Sequence, residues 1–475
     1  MLRNAGAFAH DLVRPTVRLG VTGLARAGKT VFISSLIHNL CAGGRLPFFD
    51  AAAQGRIRRA YLEPQPDDAV PRFDYEGHLA ALTGDPPHWP ESTRRLSQVR
   101  LTLEYEPQGL LRRRFGHSRL HIDIVDYPGE WLLDLPLLSL GYDAWARRSL
   151  ALSHEGDRKT LARAWHRHLE GVDPTADESE PVAAESAKIF TDYLAECRRD
   201  PYALSTVPPG RFLMPGELEG SPALTFAPLR LPESGSAPRG SLWAMMARRF
   251  ESYKTHVVKP FFRDHFARLD RQIVLVDALA ALNAGPDAVR DLERALAEIL
   301  TCFRPGRSSW LSGILSRKID RIVFAATKAD HLHHTSHDRL EALLGALTRQ
   351  AMERAAFAGA DVKVVAMAAV RATREGEARH DGEVLPCIVG CPVPGETIDG
   401  RTFDGEREFA VFPGDLPEDP GEILAGGAAT ARHDALSFVR FRPPRLRSGA
   451  VGLETALPHI RLDRALNFLL EDRLA

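Results

Sequence analysis

The chain has 475 residues, of which 44% are hydrophobic and 26% are charged, and its 61 basic side chains nearly balance 62 acidic ones for a net charge of -1. This length predicts roughly two to four domains, or one core domain with large insertions, and excludes a single small module. The charge balance argues against nucleic acid as the main partner, because phosphate contacts need concentrated Lys and Arg.

Three features of the sequence predict the cellular location of the protein. No apolar run is long enough to cross a membrane, which takes about 18 residues, and the N-terminal segment carries charges where a secretory signal would be apolar. The five cysteines, an odd number, indicate no disulfide framework. We therefore expect a cytoplasmic protein without a transmembrane segment, for which peripheral membrane contact remains open.

The first predicted unit, residues 15–40, is a strand, a glycine-bearing turn and a helix, because apolar residues alternate before Gly23 and a mostly apolar segment follows the turn. The turn fits the pattern G-x-x-x-x-G-K-[ST] of a phosphate-binding loop. In such a loop backbone N–H groups and the helix N-terminus hold the phosphates, Lys29 reaches the β- and γ-phosphates, and Thr30 binds Mg²⁺. The alternative is a chance turn before a helix. The candidate nucleotide-binding residues in this loop are Arg26, Ala27, Gly28, Lys29, Thr30 and Val31.

Two β-rich runs, 98–106 and 119–126, predict a hairpin. The second run ends at Asp126, and Gly129 follows three residues later. Downstream of a phosphate loop, this D-x-x-G spacing predicts that Asp126 holds Mg²⁺ through water and that the Gly129 N–H reaches a γ-phosphate. The spacing alone is common in turns, so the prediction depends on its context.

A second threonine should close over the metal from the loop before the hairpin, where Thr83 and Thr93 are both available. We favour Thr93, because it lies directly before the first hairpin strand, and assign it to Mg²⁺ together with Thr30 and Asp126. The alternative is a polar loop residue or helix cap.

Three short apolar runs, 272–278, 321–327 and 362–367, predict buried parallel strands separated by helices. Strands that alternate with helices indicate an α/β fold with a mainly parallel sheet. Residues 132–270 interrupt this alternation as a largely helical insertion, and within it the Pro- and Gly-rich segment 207–240 is either disordered or a lid.

The second of these strands ends in Thr327, Lys328, Ala329 and Asp330. This resembles the [NT]-K-x-D motif of Ras-like GTPases, whose aspartate pairs with the N1 and N2 donors of guanine. Adenine has no such donor pair, so a carboxylate there favours GTP and GDP. The alternative is an ordinary strand end with a solvated Lys and Asp. After the third strand, the N–H groups of Ala369 or Val370 lie where the same family contacts guanine O6.

The remainder of the chain predicts small hairpins in 374–434, a strand at 436–441 and a closing helix within 457–474. The predicted divisions are 1–131 and 271–373 for the two parts of the nucleotide domain, 132–270 for the helical insertion, 374–434 for a β-rich insertion and 435–475 for the closing strand and helix.

The motif order is that of a Ras-like G domain. With the segments LVDALAALNAG at 275–285 and HWPEST at 88–93, the chain resembles the YcjX family of bacterial stress-associated GTP-binding proteins. The resemblance implies a P-loop NTPase of Ras-like fold that binds GTP or GDP with Mg²⁺, acts in a phage-shock or envelope-stress response, and works through an unidentified protein partner.

Two residues bear on the rate of hydrolysis. Glu130 stands where many such enzymes place a water-orienting Gln, and a carboxylate there tends to repel the γ-phosphate, so we expect slow hydrolysis. Arg26 is either an internal arginine finger or a side chain that faces solvent or pairs with an acid. The catalytic set is then Lys29, Thr93, Gly129 and Glu130.

Two other functions remain open. One is a GDP-holding adaptor without significant turnover, and the other is an ATP-dependent phosphotransferase that uses the insertion as a substrate lid. Three histidines, His331, His333 and His334, follow the base-reading motif. A metal patch is one interpretation of them, but surface residues at a helix start are the one we prefer.

Overall fold

The computed structural model describes residues 15–24, 26–93, 95–108, 118–301, 319–357, 359–380, 383–398, 400–424, 436–446 and 456–475. The strands, in chain order, are β1 Thr16–Gly23, β2 Ile57–Glu63, β3 Ser97–Tyr105, β4 Ser118–Asp126, β5 Arg271–Val276, β6 Arg321–Ala326, β7 Asp361–Ala366, β8 Arg374–His380, β9 Glu383–Gly390, β10 Thr397–Ile398, β11 Arg401–Thr402 and β12 Phe409–Val411.

The α-helices, in chain order, are α1 Lys29–Cys41, α2 Asp50–Ala53, α3 Tyr75–Thr83, α4 Tyr142–Leu152, α5 Arg158–Leu161, α6 Arg163–Glu170, α7 Glu180–Arg198, α8 Gly210–Leu213, α9 Leu242–Tyr253, α10 Lys259–Asp264, α11 Ala278–Ala284, α12 Pro286–Thr301, α13 His337–Phe357, α14 Gly421–Leu424 and α15 Leu462–Leu474. Within the described ranges, none of these helices combines the length and apolar composition needed to cross a membrane.

The chain forms two compact units. The first comprises residues 1–127, 269–283 and 317–475, and the second comprises 128–268 and 284–316. Each unit is built from separated pieces of the sequence.

The first unit contains a seven-stranded sheet of order β2-β3-β4-β1-β5-β6-β7. Strands β4, β1, β5, β6 and β7 are parallel, whereas β2, β3 and β4 pair antiparallel. The prediction of an α/β fold with a mainly parallel sheet, of the kind found in Ras-like GTPases, is confirmed. All six residues of β5 are buried, as expected for a central parallel strand.

A hydrophobic core of this unit joins one face of the sheet to helices α1 and α15. Phe32 of α1, Ile122 of β4, Leu275 of β5 and Leu466 of α15 are each at most 1% exposed. The closing helix begins at Leu462, later than its apolar pattern suggested. Residues 457–460, which were predicted to form its first turn, are extended instead, because the backbone of Ile460 forms hydrogen bonds with the backbone of Ala368.

A three-stranded antiparallel sheet of order β12-β9-β8 and the short pair β10-β11 occupy the region predicted to hold small hairpins. The prediction of a strand at 436–441 is wrong, since these residues form only one isolated β-bridge, between Phe441 and Pro392. The strand-like alternation arises because Val439 and Phe441 are both buried in the core of this region.

The second unit is helical, with single-turn elements between its helices. Its core is a group of aromatic rings, in which Trp145 stacks on Phe250 with ring centroids 4.9 Å apart and meets Phe226 at 5.5 Å. Phe226 belongs to the Pro- and Gly-rich segment 207–240 and is fully buried. That segment therefore contributes to the core of the second unit.

Candidate functional site

The glycine-bearing loop after β1 needs its glycines for two different reasons. A Cβ at Gly23 would lie 2.6 Å from the carbonyl oxygen of Leu275 on the neighbouring strand, so no side chain fits there. Gly28 has a φ of 83°, in the left-handed region that favours glycine, and α1 begins at the next residue. Ala25 lies outside the described residues. The first N–H groups of α1 have no partner within the helix and are available to an anion.

Lys29 is held inside this loop. Its Nζ donates a hydrogen bond to the carbonyl oxygen of Gly23 at 2.9 Å, and the residue is only 9% exposed. The ammonium group therefore lies across the loop that its own helix closes, which is where a phosphate would meet it. Arg26 is exposed and has a φ of 59°.

Three side chains that are distant in sequence meet beside Lys29. The Thr93 hydroxyl donates to Asp126 Oδ2 at 2.8 Å and lies 3.2 Å from the Thr30 hydroxyl. The Thr30 hydroxyl also donates to the Glu91 carbonyl oxygen at 3.4 Å, in the same loop as Thr93. Thr83 lies elsewhere, on α3, where its hydroxyl donates to the Leu79 carbonyl oxygen of the same helix. The structure thus brings together Thr30, Thr93 and Asp126.

Asp126 has the environment of a metal ligand. Its Oδ1 atom is buried and has no hydrogen-bond partner within the described part of the chain. Burial raises the pKa of Asp126 to about 6, although the positive charge of Lys29 and the Thr93 hydrogen bond oppose that rise. One carboxylate and two hydroxyl oxygens are hard ligands that suit Mg²⁺, which usually keeps several of its waters. The residues present therefore fit a magnesium ion.

Replacing Asp126 with Asn should stabilise the nucleotide-free protein in metal-free buffer at neutral pH. The folded-state pKa of about 6 lies above the usual 3.8, so the native state holds this proton more tightly than the unfolded chain does. The carboxylate consequently costs stability above pH 6, and this cost vanishes as the pH falls below about 4. We expect Asp126→Asn to raise the free energy of unfolding by about 2 kcal/mol at pH 7.5 and by almost nothing at pH 4.

Urea unfolding of both proteins across this pH range, with EDTA present, measures that difference. Asp68→Asn is the control, because Asp68 lies exposed in a turn and its replacement should show no such pH dependence. A destabilised Asp126→Asn protein at pH 7.5 would contradict this account of the carboxylate.

The second part of the site lies at the carboxyl ends of β5 and β6. Lys328 has a φ of 60°, and its ammonium group forms an ion pair with Asp277, which is 5% exposed. The Thr327 N–H and hydroxyl both donate to the Val276 carbonyl oxygen. Sequence reasoning did not assign Asp277, although its position directly after a buried parallel strand could have suggested it.

Asp330 is 4% exposed and joins two loops. Its Oδ2 accepts the Ala372 N–H at 2.8 Å, and its backbone carbonyl accepts the Thr373 hydroxyl. On the same side, the Ser35 hydroxyl of α1 donates to the Ala369 carbonyl oxygen at 2.5 Å. The loop that carries Ala369 and Val370 is thereby fixed to both α1 and Asp330. Ser35, Ala372 and Thr373 were not found from the sequence, because no local pattern marks them.

Gly129 and Glu130 belong to the second unit, where Gly129 begins a 3₁₀ segment that runs to Ser139. Glu130 is 3% exposed and its carboxylate forms an ion pair with Arg198 of α7. A buried carboxylate paired in this way holds its side chain in one orientation.

Comparison with known proteins identifies relatives along almost the whole chain. The family model described as "YcjX-like family, DUF463" matches residues 17–474. A protein of Escherichia coli K12 named Ras-like GTPase YcjX is 39% identical over 483 residues, which cover 100% of this chain and 98% of that protein. A protein of the same name from Shewanella oneidensis is 33% identical over 492 residues, which cover 98% and 96% of the two chains. The family resemblance predicted from the motifs is confirmed.

Proposed function

Because this chain belongs to the YcjX-like family, we propose that it is a switch protein that binds GTP and GDP with Mg²⁺ and hydrolyses GTP slowly. The observation that carries the proposal is the contact of the Thr93 hydroxyl with both Thr30 and Asp126, beside the buried ammonium group of Lys29. These are the groups that a nucleoside triphosphate and its metal require. The names of the two relatives support the same activity.

The base-reading loops support guanine. Asp330 offers a carboxylate to the paired N–H donors of guanine, and adenine has no such pair of donors. The ion pair with Asp277 fixes the long side chain of Lys328, and the Ser35 hydrogen bond fixes the loop of Ala369. Pre-formed contacts of this kind lower the entropy lost on binding.

Hydrolysis would draw on the charge of the bound metal, which neutralises the phosphate oxygens as the bond breaks. The chain's own contribution is positional. We propose that Lys29 binds the phosphates and that Thr93 connects its loop to the metal ligands Thr30 and Asp126. We propose that loss of the γ-phosphate releases the Thr93 loop, which is the general way in which such switches signal to a protein partner.

The Thr93 hydroxyl should matter for turnover and much less for GDP binding. We expect Thr93→Val to lower the single-turnover rate of GTP hydrolysis by about tenfold to a hundredfold, because one hydrogen bond to a charged group is lost. Thr93→Ser keeps the hydroxyl and should stay within about threefold of wild type. Equal rates in all three proteins would contradict the proposed role of the Thr93 hydroxyl. No GDP formed by any of them would contradict the proposed GTPase and favour the adaptor.

The slow rate is proposed from Glu130, and Arg26 is a separate candidate for an internal arginine finger that would raise the rate. If the Glu130 carboxylate slows the reaction despite its ion pair with Arg198, Glu130→Gln should raise the single-turnover rate several-fold, since it removes a charge and keeps the shape of the side chain. If Arg26 acts as an internal arginine finger, Arg26→Ala should lower the rate. Glu178→Gln removes an acid elsewhere in the second unit and is the control. A Glu130→Gln protein no faster than wild type and an unchanged Arg26→Ala protein would remove both proposals.

The cellular role is proposed from the family resemblance. We propose a cytoplasmic protein of the bacterial envelope or phage-shock stress response that acts through an unidentified protein partner, with nucleic acid as no part of its activity. A pull-down with protein held in the GTP and GDP states tests this, since a true effector should be retained in one state and not in the other.

A further inference from the structure

Two histidines and a glutamate meet beside the base-reading loop. The His334 Nδ1 atom lies 2.9 Å from Glu375 Oε2, and the His333 Nε2 atom lies 4.0 Å from the same oxygen. One ligand atom from each of the three residues falls within 4.8 Å of the other two. The histidines lie just before α13, and Glu375 is the second residue of β8.

A hydrogen bond to His333 and an ion pair with Glu375 fix which atoms of these two side chains face each other. The His333 Nδ1 atom lies 3.0 Å from the Thr335 hydroxyl, which leaves Nε2 to face Glu375. Histidines that bind metals are usually held in this way through their other ring nitrogen. Arg371 lies 3.7 Å from the opposite carboxylate oxygen, Oε1, so Oε2 is the atom directed at both imidazoles.

We infer that His333, His334 and Glu375 bind a zinc ion. Two imidazoles and one carboxylate with further positions for water are a known ligand set for zinc. A tetrahedral zinc ion needs ligand atoms about 3.3 Å apart, and the distances of 2.9 Å and 4.0 Å lie on either side of that value. Mg²⁺ does not compete for this site, because imidazole is a poor ligand for it.

The exposure of the ligands makes this ion exchangeable. The side chains of His333, His334 and Glu375 are 17%, 62% and 33% exposed. A zinc ion at this site is therefore in contact with solvent, whereas a structural zinc site is closed by four protein ligands. The fraction of the protein that holds zinc therefore depends on the concentration of free zinc.

The position of the zinc ion links it to nucleotide binding. This link, unlike zinc binding itself, rests on the proposed function. The loop that carries Asp330 continues to His333, and the loop that carries Ala372 and Thr373 continues to Glu375. Hydrogen bonds from the Ala372 N–H and the Thr373 hydroxyl to Asp330 already join the two loops. Zinc adds a second connection between them and stiffens the base-reading site, so zinc and GDP each raise the affinity of the other by the same factor.

Zinc binding is tested first without nucleotide, by calorimetric titration of metal-free full-length protein. We expect one zinc ion per chain with a Kd of about 10 μM or below. His333→Ala/His334→Ala should lose it, and Glu375→Gln should weaken it by at least about tenfold. The controls are His88→Ala and Glu377→Gln; Glu377 lies on β8, two positions after Glu375. Circular dichroism in metal-free buffer checks that every variant folds. Cobalt substitution should give the visible absorption of a tetrahedral site in wild type and in the two controls, and not in the double-histidine variant. Wild type and the double-histidine variant titrating alike, or no zinc bound by either, would overturn the site.

The link is then tested by titrating GDP in Mg²⁺ with and without zinc. We expect zinc to tighten GDP binding about fivefold or more in wild type and to have no effect in the double-histidine variant. If zinc binds without changing the affinity for GDP, the link to nucleotide binding is overturned, but the zinc site itself stands. Failure of GDP to bind in zinc-free buffer would instead contradict the proposed function, so the two failures are distinguishable.

Discussion

Replacing Lys29 with Ala should weaken binding of GTP about a thousandfold, which is the largest effect expected from any single change, and should weaken binding of GDP by less, because GDP has no γ-phosphate. The Lys29 ammonium lies across the glycine loop, 2.9 Å from the Gly23 carbonyl oxygen, in a nearly buried position. There its charge can meet phosphate oxygens with little screening by water. One hydrogen bond between charged groups contributes about 1.5 to 3 kcal/mol to the binding free energy. A lysine that contacts two phosphates contributes about twice that, and this contribution is lost when the lysine is replaced by alanine.

The same change should weaken the metal site. Lys29 lowers the pKa of Asp126 against the effect of burial, so its loss leaves Asp126 more often protonated at neutral pH and less able to hold Mg²⁺. Titrations with GTP and with GDP in Mg²⁺ measure the effect. Lys188→Ala, which removes a lysine from the exposed face of α7, is the control. Near-wild-type affinity in folded Lys29→Ala protein would show that the loop does not hold phosphates.

Asp330→Asn should change which base the protein prefers. The Asp330 carboxylate accepts from two N–H donors of guanine, whereas an amide accepts one hydrogen bond and donates another. Xanthine offers one N–H and one carbonyl oxygen at the same positions, so it matches the amide. We expect the affinity for GDP to fall at least about a hundredfold and that for xanthosine diphosphate to rise by a similar factor.

The fold should tolerate this change. In the wild-type protein, Asp330 Oδ2 accepts the Ala372 N–H at 2.8 Å, and the oxygen of the introduced amide can accept the same hydrogen bond. Asp338→Asn, which replaces an exposed carboxylate at the start of α13, is the control and should leave the preference for guanine intact. If Asp330→Asn binds GDP as well as wild type, Asp330 does not read the base.

The sequence predicts those parts of the site that a local pattern specifies. The glycine loop follows from residue spacing between a strand and a helix, and the parallel strands at the centre follow from apolar runs that alternate with helices. Asp126 was predicted from the D-x-x-G spacing at the end of a strand, and Asp330 from the resemblance of residues 327–330 to the [NT]-K-x-D motif. The contact of Thr93 with Asp126 followed only from the expectation that a loop closes over the metal.

Contacts between distant segments were not predictable in this way. Asp277 pairs with Lys328, 51 residues further along the chain, and Ser35 meets Ala369 across 334 residues. The edge strand β2 was also missed, because Arg58 and Arg59 interrupt its apolar alternation. The opposite error occurred at 436–441, where burial of Val439 and Phe441 gives a strand-like pattern without a paired strand.

The most direct test of the account is calorimetric titration of nucleotide-free protein with GDP, GTP and ADP in Mg²⁺. The contacts of Lys29, Asp126 and Asp330 predict that GDP and GTP bind with Kd values of about 1 μM or lower and that ADP binds at least about a hundredfold more weakly. Binding of ADP as tight as that of GDP would contradict guanine recognition and revive the phosphotransferase. No binding of any of the three would contradict the nucleotide site itself.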